Sequence, residues 1–116
     1  MSEVTLYHNP RCSKSRQTLA LLEDRGIEPE VIEYLKTPPD AATISGLLDK
    51  LGIRAIELIR RKEAPFAELG LASSEDDDPA LIAAMALNPI LIERPIVVTE
   101  ENARIGRPPE NVLDIL

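Results

Sequence analysis

Tryptophan is absent from this chain, and Phe66, Tyr7 and Tyr34 are its only aromatic residues, so any core must be aliphatic. Cysteine is almost absent as well. Cys12 stands alone, which excludes an internal disulfide and makes the reducing cytoplasm the expected compartment. Cations are in deficit, 13 Lys and Arg against 20 Asp and Glu, for a formal charge of −7. That balance argues against generic binding to nucleic acid or to an anionic membrane, both of which favour a basic footprint. No apolar stretch approaches the length of a membrane-spanning helix. Residues 1–20 lack the basic, apolar and small-residue pattern of a secretory signal. One histidine and one cysteine argue against a zinc site, and no Walker or dinucleotide fingerprint occurs, so no metal and no bound cofactor are expected.

What is present fits one compact domain of 116 residues, large enough to remove roughly two-thirds of its unfolded surface from water. Val4-Thr5-Leu6-Tyr7 is a β-prone run that ends at the turn signal His8-Asn9-Pro10. Residues Ser13 to Arg25 carry a helical pattern, with Leu19 and Leu22, and nearby Ala20 and Leu21, on the apolar side. Gly26 suits the position just past that helix. Val31 to Leu35 reads as a second strand, and the resulting βαβ unit implies a parallel pair with a right-handed crossover. Thr37-Pro38-Pro39-Asp40 then punctuates the chain. Asp40 is placed to cap a helix over about 41–51, with further helical pieces near 54–61, 64–69 and 79–87. The run Glu75-Asp76-Asp77-Asp78 reads as a solvated loop leading into the helix at Pro79. After Asn88-Pro89 the β pattern returns in Pro95 to Thr99 and in Ala103 to Gly106, an antiparallel pair. Pro108-Pro109-Glu110 opens a last helix with Val112, Leu113, Ile115 and Leu116 on its buried side. The expected fold is α/β: a thioredoxin-like mixed four-stranded sheet, βαβ…ββα, with an all-helical insert at about 38–89 between the second and third strands. The whole of 1–116 is expected to form a single domain. No long apolar stripe is left once the core is assigned, so a monomer is expected.

Chemistry concentrates around Cys12. The nine residues from His8 to Arg16 hold the only histidine and the cations Arg11, Lys14 and Arg16, with no carboxylate, in an otherwise acidic chain. A thiol at a helix start among cations is the setting that favours a thiolate nucleophile. His8, four positions earlier across a strand-to-loop bend, is placed to act electrostatically or in proton transfer, on the sulfur or on a bound anion. Ser15 occupies the second position of a C-x-x-C pattern. A hydroxyl there can hydrogen-bond a thiolate but cannot resolve a mixed disulfide, so an external thiol must complete any turnover. A phosphatase-type loop would need arginine six residues after the cysteine, where Thr18 stands.

These features occur together in a known family. The chain resembles the glutaredoxin-linked arsenate reductases over essentially its whole length. The matching stretches are Tyr7-His8-Asn9-Pro10 with Cys12 and Ser15-Arg16, then Arg60, then Glu68-Leu69-Gly70-Leu71-Ala72. They continue with Asn88 to Ile92, Arg94-Pro95-Ile96-Val97-Val98, and Arg107-Pro108 before Val112 to Leu116. The resemblance implies that Cys12 attacks arsenate to give a thiol-bound arsenic(V) adduct. It implies that Arg60, Arg94 and Arg107 bind the oxyanion and then the reduced arsenic, with glutathione as co-substrate and glutaredoxin clearing the mixed disulfide. It also matches Pro95 to the cis-proline of thioredoxin-like folds. Guanidinium forks suit a tetrahedral dianion better than ammonium groups do. Arg61 and Arg104 are expected to be surface charges. With Arg11 and Ser13-Lys14 in place of smaller residues, and no charged extension after Leu116, the chain looks like a shorter branch of that family.

Two other readings use the same residues. A transcriptional regulator of the Spx type shares the inserted thioredoxin-like fold and binds RNA polymerase, but such regulators switch through C-x-x-C, which Ser15 removes. A thiol-transfer protein would bind a glutathione carboxylate where arsenate is otherwise expected.

Overall fold

The computed structural model describes residues 3–116, which divide into two compact units: one built from the chain up to Thr37 together with Arg94–Leu116, the other from Pro38–Glu93. The first unit contains the sheet. Strand β1 (Thr5–His8) leads into helix α1 (Ser13–Asp24) and then β2 (Glu30–Glu33), while β3 (Ile96–Val98) and β4 (Ala103–Ile105) come from the C-terminal part of the chain. The order is β2-β1-β3-β4, with β2 parallel to β1 and the other two pairings antiparallel. This is the expected thioredoxin-like sheet. Its core is aliphatic, with Leu6, Leu22, Val97 and Val112 fully buried together and Val4, Leu19, Leu21, Ile27 and Ile115 packed around them.

Local chemistry accounts for the element ends, and for where they depart from expectation. Gly26 follows α1 at φ 75°, a left-handed conformation that glycine adopts without steric cost. Ala20 faces solvent rather than the core; the buried positions of α1 are Ser15, Thr18 and Leu22. Strand β2 stops at Glu33 because its partner β1 stops at His8, where Asn9-Pro10 turns the chain; Tyr34 and Leu35 therefore lie in a turn. The C-terminal segment Pro109–Ile115 is a 3₁₀ helix, not an α-helix. Its inward residues Pro109, Val112 and Ile115 recur every third position, and three residues per turn set them in one row, leaving Leu116 exposed.

The second unit is helical: α2 (Ala41–Leu51), α3 (Ala55–Leu58), α4 (Ala64–Glu68) and α5 (Asp78–Leu87), with 3₁₀ turns at Leu71–Ser74 and Pro89–Leu91. Asp40 Oδ1 accepts the Thr43 N–H at 2.8 Å, capping α2, and Gly52 ends that helix at φ 69°. Helix α3 is shorter than the pattern suggests. Ile59 leaves it in an extended conformation to bridge Ile92, with the Arg60 N–H bonded to Leu91 O and the Glu93 N–H to Leu58 O. The acidic run does more than solvate a loop. Asp77 caps α5 through the Ala80 N–H, Asp78 and Asp76 pair with Arg54, and Glu75 pairs with Arg61. Among the described residues no helix is long and apolar enough to cross a membrane, and no group of three or more His, Cys, Asp or Glu could hold a metal ion.

Candidate active site

Cys12 lies at the junction of β1 and α1 as the residue capping the helix N-terminus, half-buried and in an extended backbone conformation. Its N–H donates to Asn9 O at 3.0 Å, closing a four-residue turn, and its carbonyl accepts the Arg16 N–H to start the helix. Asn9 organises the turn from both ends. Its Oδ1 accepts the Arg11 N–H at 3.0 Å, and its own N–H donates to Ser15 Oγ at 3.0 Å. Arg16 Nη1 donates to Pro10 O at 2.9 Å across the same loop. The first turn of α1 contains no acidic residue, so no carboxylate there competes for the N-terminal end of the helix dipole.

His8 and Ser15 are brought together. His8 Nδ1 lies 2.6 Å from Ser15 Oγ, and both side chains are buried. The Asn9 N–H also donates to Oγ, so one hydroxyl holds both groups. The hydroxyl expected at the sulfur thus joins the end of β1 to the Cys12 turn. Burial lowers the His8 pKa from its ordinary value; Glu33, its register partner on β2, opposes that shift, and Arg16 adds to it.

The sign of that shift gives a testable pH dependence. Below about pH 6.5 the unfolded chain takes up a proton on His8 while the folded protein does not, so stability falls as pH drops from there towards the lower folded value. His8→Asn removes this loss. Thermal melts should show the gap in Tm between wild type and variant narrowing between about pH 7.5 and about pH 5.5. A gap that stays constant would contradict a buried, neutral His8.

At the sulfur stands Arg107. Its Nη2 is 3.5 Å from Cys12 Sγ, and its Nε donates to Arg94 O at 2.8 Å. Asn111 Nδ2 donates to the Arg107 carbonyl at 2.9 Å. Both X-Pro bonds that follow these arginines, Arg94-Pro95 and Arg107-Pro108, are cis; the first was expected from the resemblance and the second was not. Arg94 and Arg107 are thus adjacent within the unit that holds Cys12. Arg60 belongs to the helical unit, where its Nη1 lies 2.9 Å from Glu63 Oε2 and its Nε 3.6 Å from Glu93 Oε1. A guanidinium donor at a thiol can stabilise negative charge on the sulfur and on an oxyanion bound to it.

Comparison with known proteins settles the lineage. The model of the ArsC family matches residues 7–115. The chain belongs to the ArsC family. Uncharacterized protein YfgD of Escherichia coli (strain K12) is 59% identical over 115 residues, 98% of this chain and 97% of that protein. A Rhizobium meliloti (strain 1021) protein named arsenate reductase is 50% identical, over 97% of this chain and 81% of its own length. The solved structure of an arsenate reductase from Vibrio cholerae superposes with a TM-score of 0.94 at 54% identity, covering 98% of each chain. Within this ArsC-family framework, Asn9 is the participant that sequence reasoning passed over. Asn9-Pro10 signalled a turn, but of the three hydrogen bonds that converge on Asn9, one is made with Ser15, six residues further on.

Proposed function

We propose that this ArsC-family protein reduces arsenate to arsenite, with Cys12 as nucleophile and glutathione and glutaredoxin as the external thiol system. The observation that carries this reading is the 3.5 Å approach of Arg107 Nη2 to Cys12 Sγ in a chain that is 50% identical to a protein named arsenate reductase. In the first step the Cys12 thiolate attacks arsenic. A sulfur–arsenic bond forms, one arsenic–oxygen bond breaks, and that oxygen leaves as water after protonation, with arsenic still As(V). Arg107 supplies positive charge where the oxyanion accumulates, and the family resemblance gives Arg94 the same task. Glutathione then attacks arsenic, forming a second sulfur–arsenic bond as another oxygen leaves as water. A glutaredoxin thiolate attacks the glutathione sulfur; the sulfur–arsenic electron pair stays on arsenic, which becomes As(III), and the glutathione–glutaredoxin mixed disulfide departs. Water then cleaves the remaining Cys12–arsenic bond, releasing arsenite and regenerating the Cys12 thiol. Ser15 supports this division of labour, since a hydroxyl at that position cannot act as a resolving thiol. The family resemblance also assigns Arg60 to the oxyanion. In a coupled assay, arsenate should drive NADPH oxidation only when glutathione, glutaredoxin and the glutathione-regenerating reductase are all present. NADPH oxidation that does not depend on arsenate would overturn the proposal.

A further inference from the structure

The distance between Arg107 and Cys12 depends on how closely two elements approach each other, since Cys12 caps α1 and Arg107 follows β4 two residues after Ile105. Between them lies an unusually tight contact. A Cβ placed on Gly106 would sit 2.5 Å from Thr18 Oγ1, 2.9 Å from Pro95 Cγ and 3.4 Å from Thr18 Cγ2. Thr18 cannot swing aside cheaply. It is fully buried, β-branched, and its Oγ1 donates to Lys14 O at 2.8 Å, back towards the turn that follows Cys12. The Gly106 N–H donates to Pro95 O at 2.9 Å, which holds the end of β4 to the segment that carries Arg94. Arg107 is the next residue, and its Nε returns to Arg94 O. Gly106 does not need glycine for a positive φ; it needs the space.

We propose that Gly106 and Thr18 are positioning residues whose backbone-to-side-chain contact sets Arg107 on the Cys12 sulfur. A methyl group at Gly106 forces β4 and α1 apart by most of an ångström, and close-packed interiors pass such a displacement on to their neighbours. The Nη2–Sγ contact, already 3.5 Å, is then lost. The inference rests on Arg107 and Cys12 acting together. It does not require arsenate, because Cys12 reactivity can be read by alkylation alone.

The test measures iodoacetamide alkylation of Cys12 at neutral pH in the full chain, with circular dichroism reporting the fold. Arg107→Ala should slow alkylation about fivefold to tenfold by removing the cation at the sulfur. Gly106→Ala should slow it by a similar factor, and by no further amount in the Arg107→Ala background, because it acts through Arg107. Gly106→Ala combined with Thr18→Ala removes the obstructing hydroxyl and methyl, leaving only the Pro95 ring edge to yield, and should recover most of the wild-type rate. That double variant also serves if Gly106→Ala alone does not fold. If Arg107→Ala alkylates at the wild-type rate, the pairing of Arg107 with Cys12 falls, and the proposal with it. If Arg107→Ala is slow but Gly106→Ala matches wild type, adds a further drop to Arg107→Ala, or is not rescued by Thr18→Ala, the positioning proposal alone is overturned.

Discussion

Arg107→Ala should lower kcat/KM for arsenate by about 10²- to 10³-fold while leaving the protein folded, the scale of losing one oriented donor from an oxyanion site. The side chain is solvent-exposed, so its removal leaves no cavity and should change stability by no more than about 1 kcal/mol. Arg107→Lys should recover only part of the loss. An ammonium retains the charge but cannot place one nitrogen on a backbone carbonyl and another on the sulfur. Steady-state kinetics with arsenate, set beside thermal melts of the same preparations, checks this. A kcat/KM within about threefold of wild type would remove Arg107 from the site.

Ser15→Ala should produce the opposite pattern, a large loss of stability. Ser15 is fully buried, and its hydroxyl meets both His8 Nδ1 and the Asn9 N–H. Alanine leaves both groups unpaired, at about 1–3 kcal/mol each, so a total of about 2–6 kcal/mol is expected. For a chain of this size that is a fall in Tm of roughly 10 °C or more. Arsenate turnover should fall as well, because the Asn9 turn that holds the Cys12 N–H loses its anchor on the helix. A Tm lowered by less than about 3 °C would show that the hydroxyl is not the joint between β1 and the Cys12 turn.

Much of this was legible in the sequence because the signals are local. The β1–α1–β2 unit, the Asp40 cap and the glycine after α1 depend on residues a few positions apart, and each is present, although β2 ends two residues before the pattern does. What the pattern missed depends on partners distant in the chain. Ile59 leaves its helix because it pairs with Ile92, and this puts Arg60 outside the helix, with its N–H on Leu91 O. The last helix winds as 3₁₀ because Val112 and its neighbours three residues away must meet the core formed by Leu6, Leu22 and Val97. In the site, the lone cysteine, the basic segment and the two Arg-Pro pairs could all be read directly. The engagement of Ser15 with His8 and Asn9 could not, because a capping hydroxyl and a thiolate-binding hydroxyl look alike in sequence. Nor could the need for glycine at 106, which comes from Thr18, 88 positions earlier.

In the proposed reaction Cys12 is the nucleophile that attacks arsenate. The most direct test of this role is the separation of arsenite from arsenate after incubation with glutathione and glutaredoxin, for wild type and for Cys12→Ser side by side. Wild type should accumulate arsenite with time, and Cys12→Ser should form none above the enzyme-free control. Equal arsenite from both proteins, or none from wild type, would contradict the account.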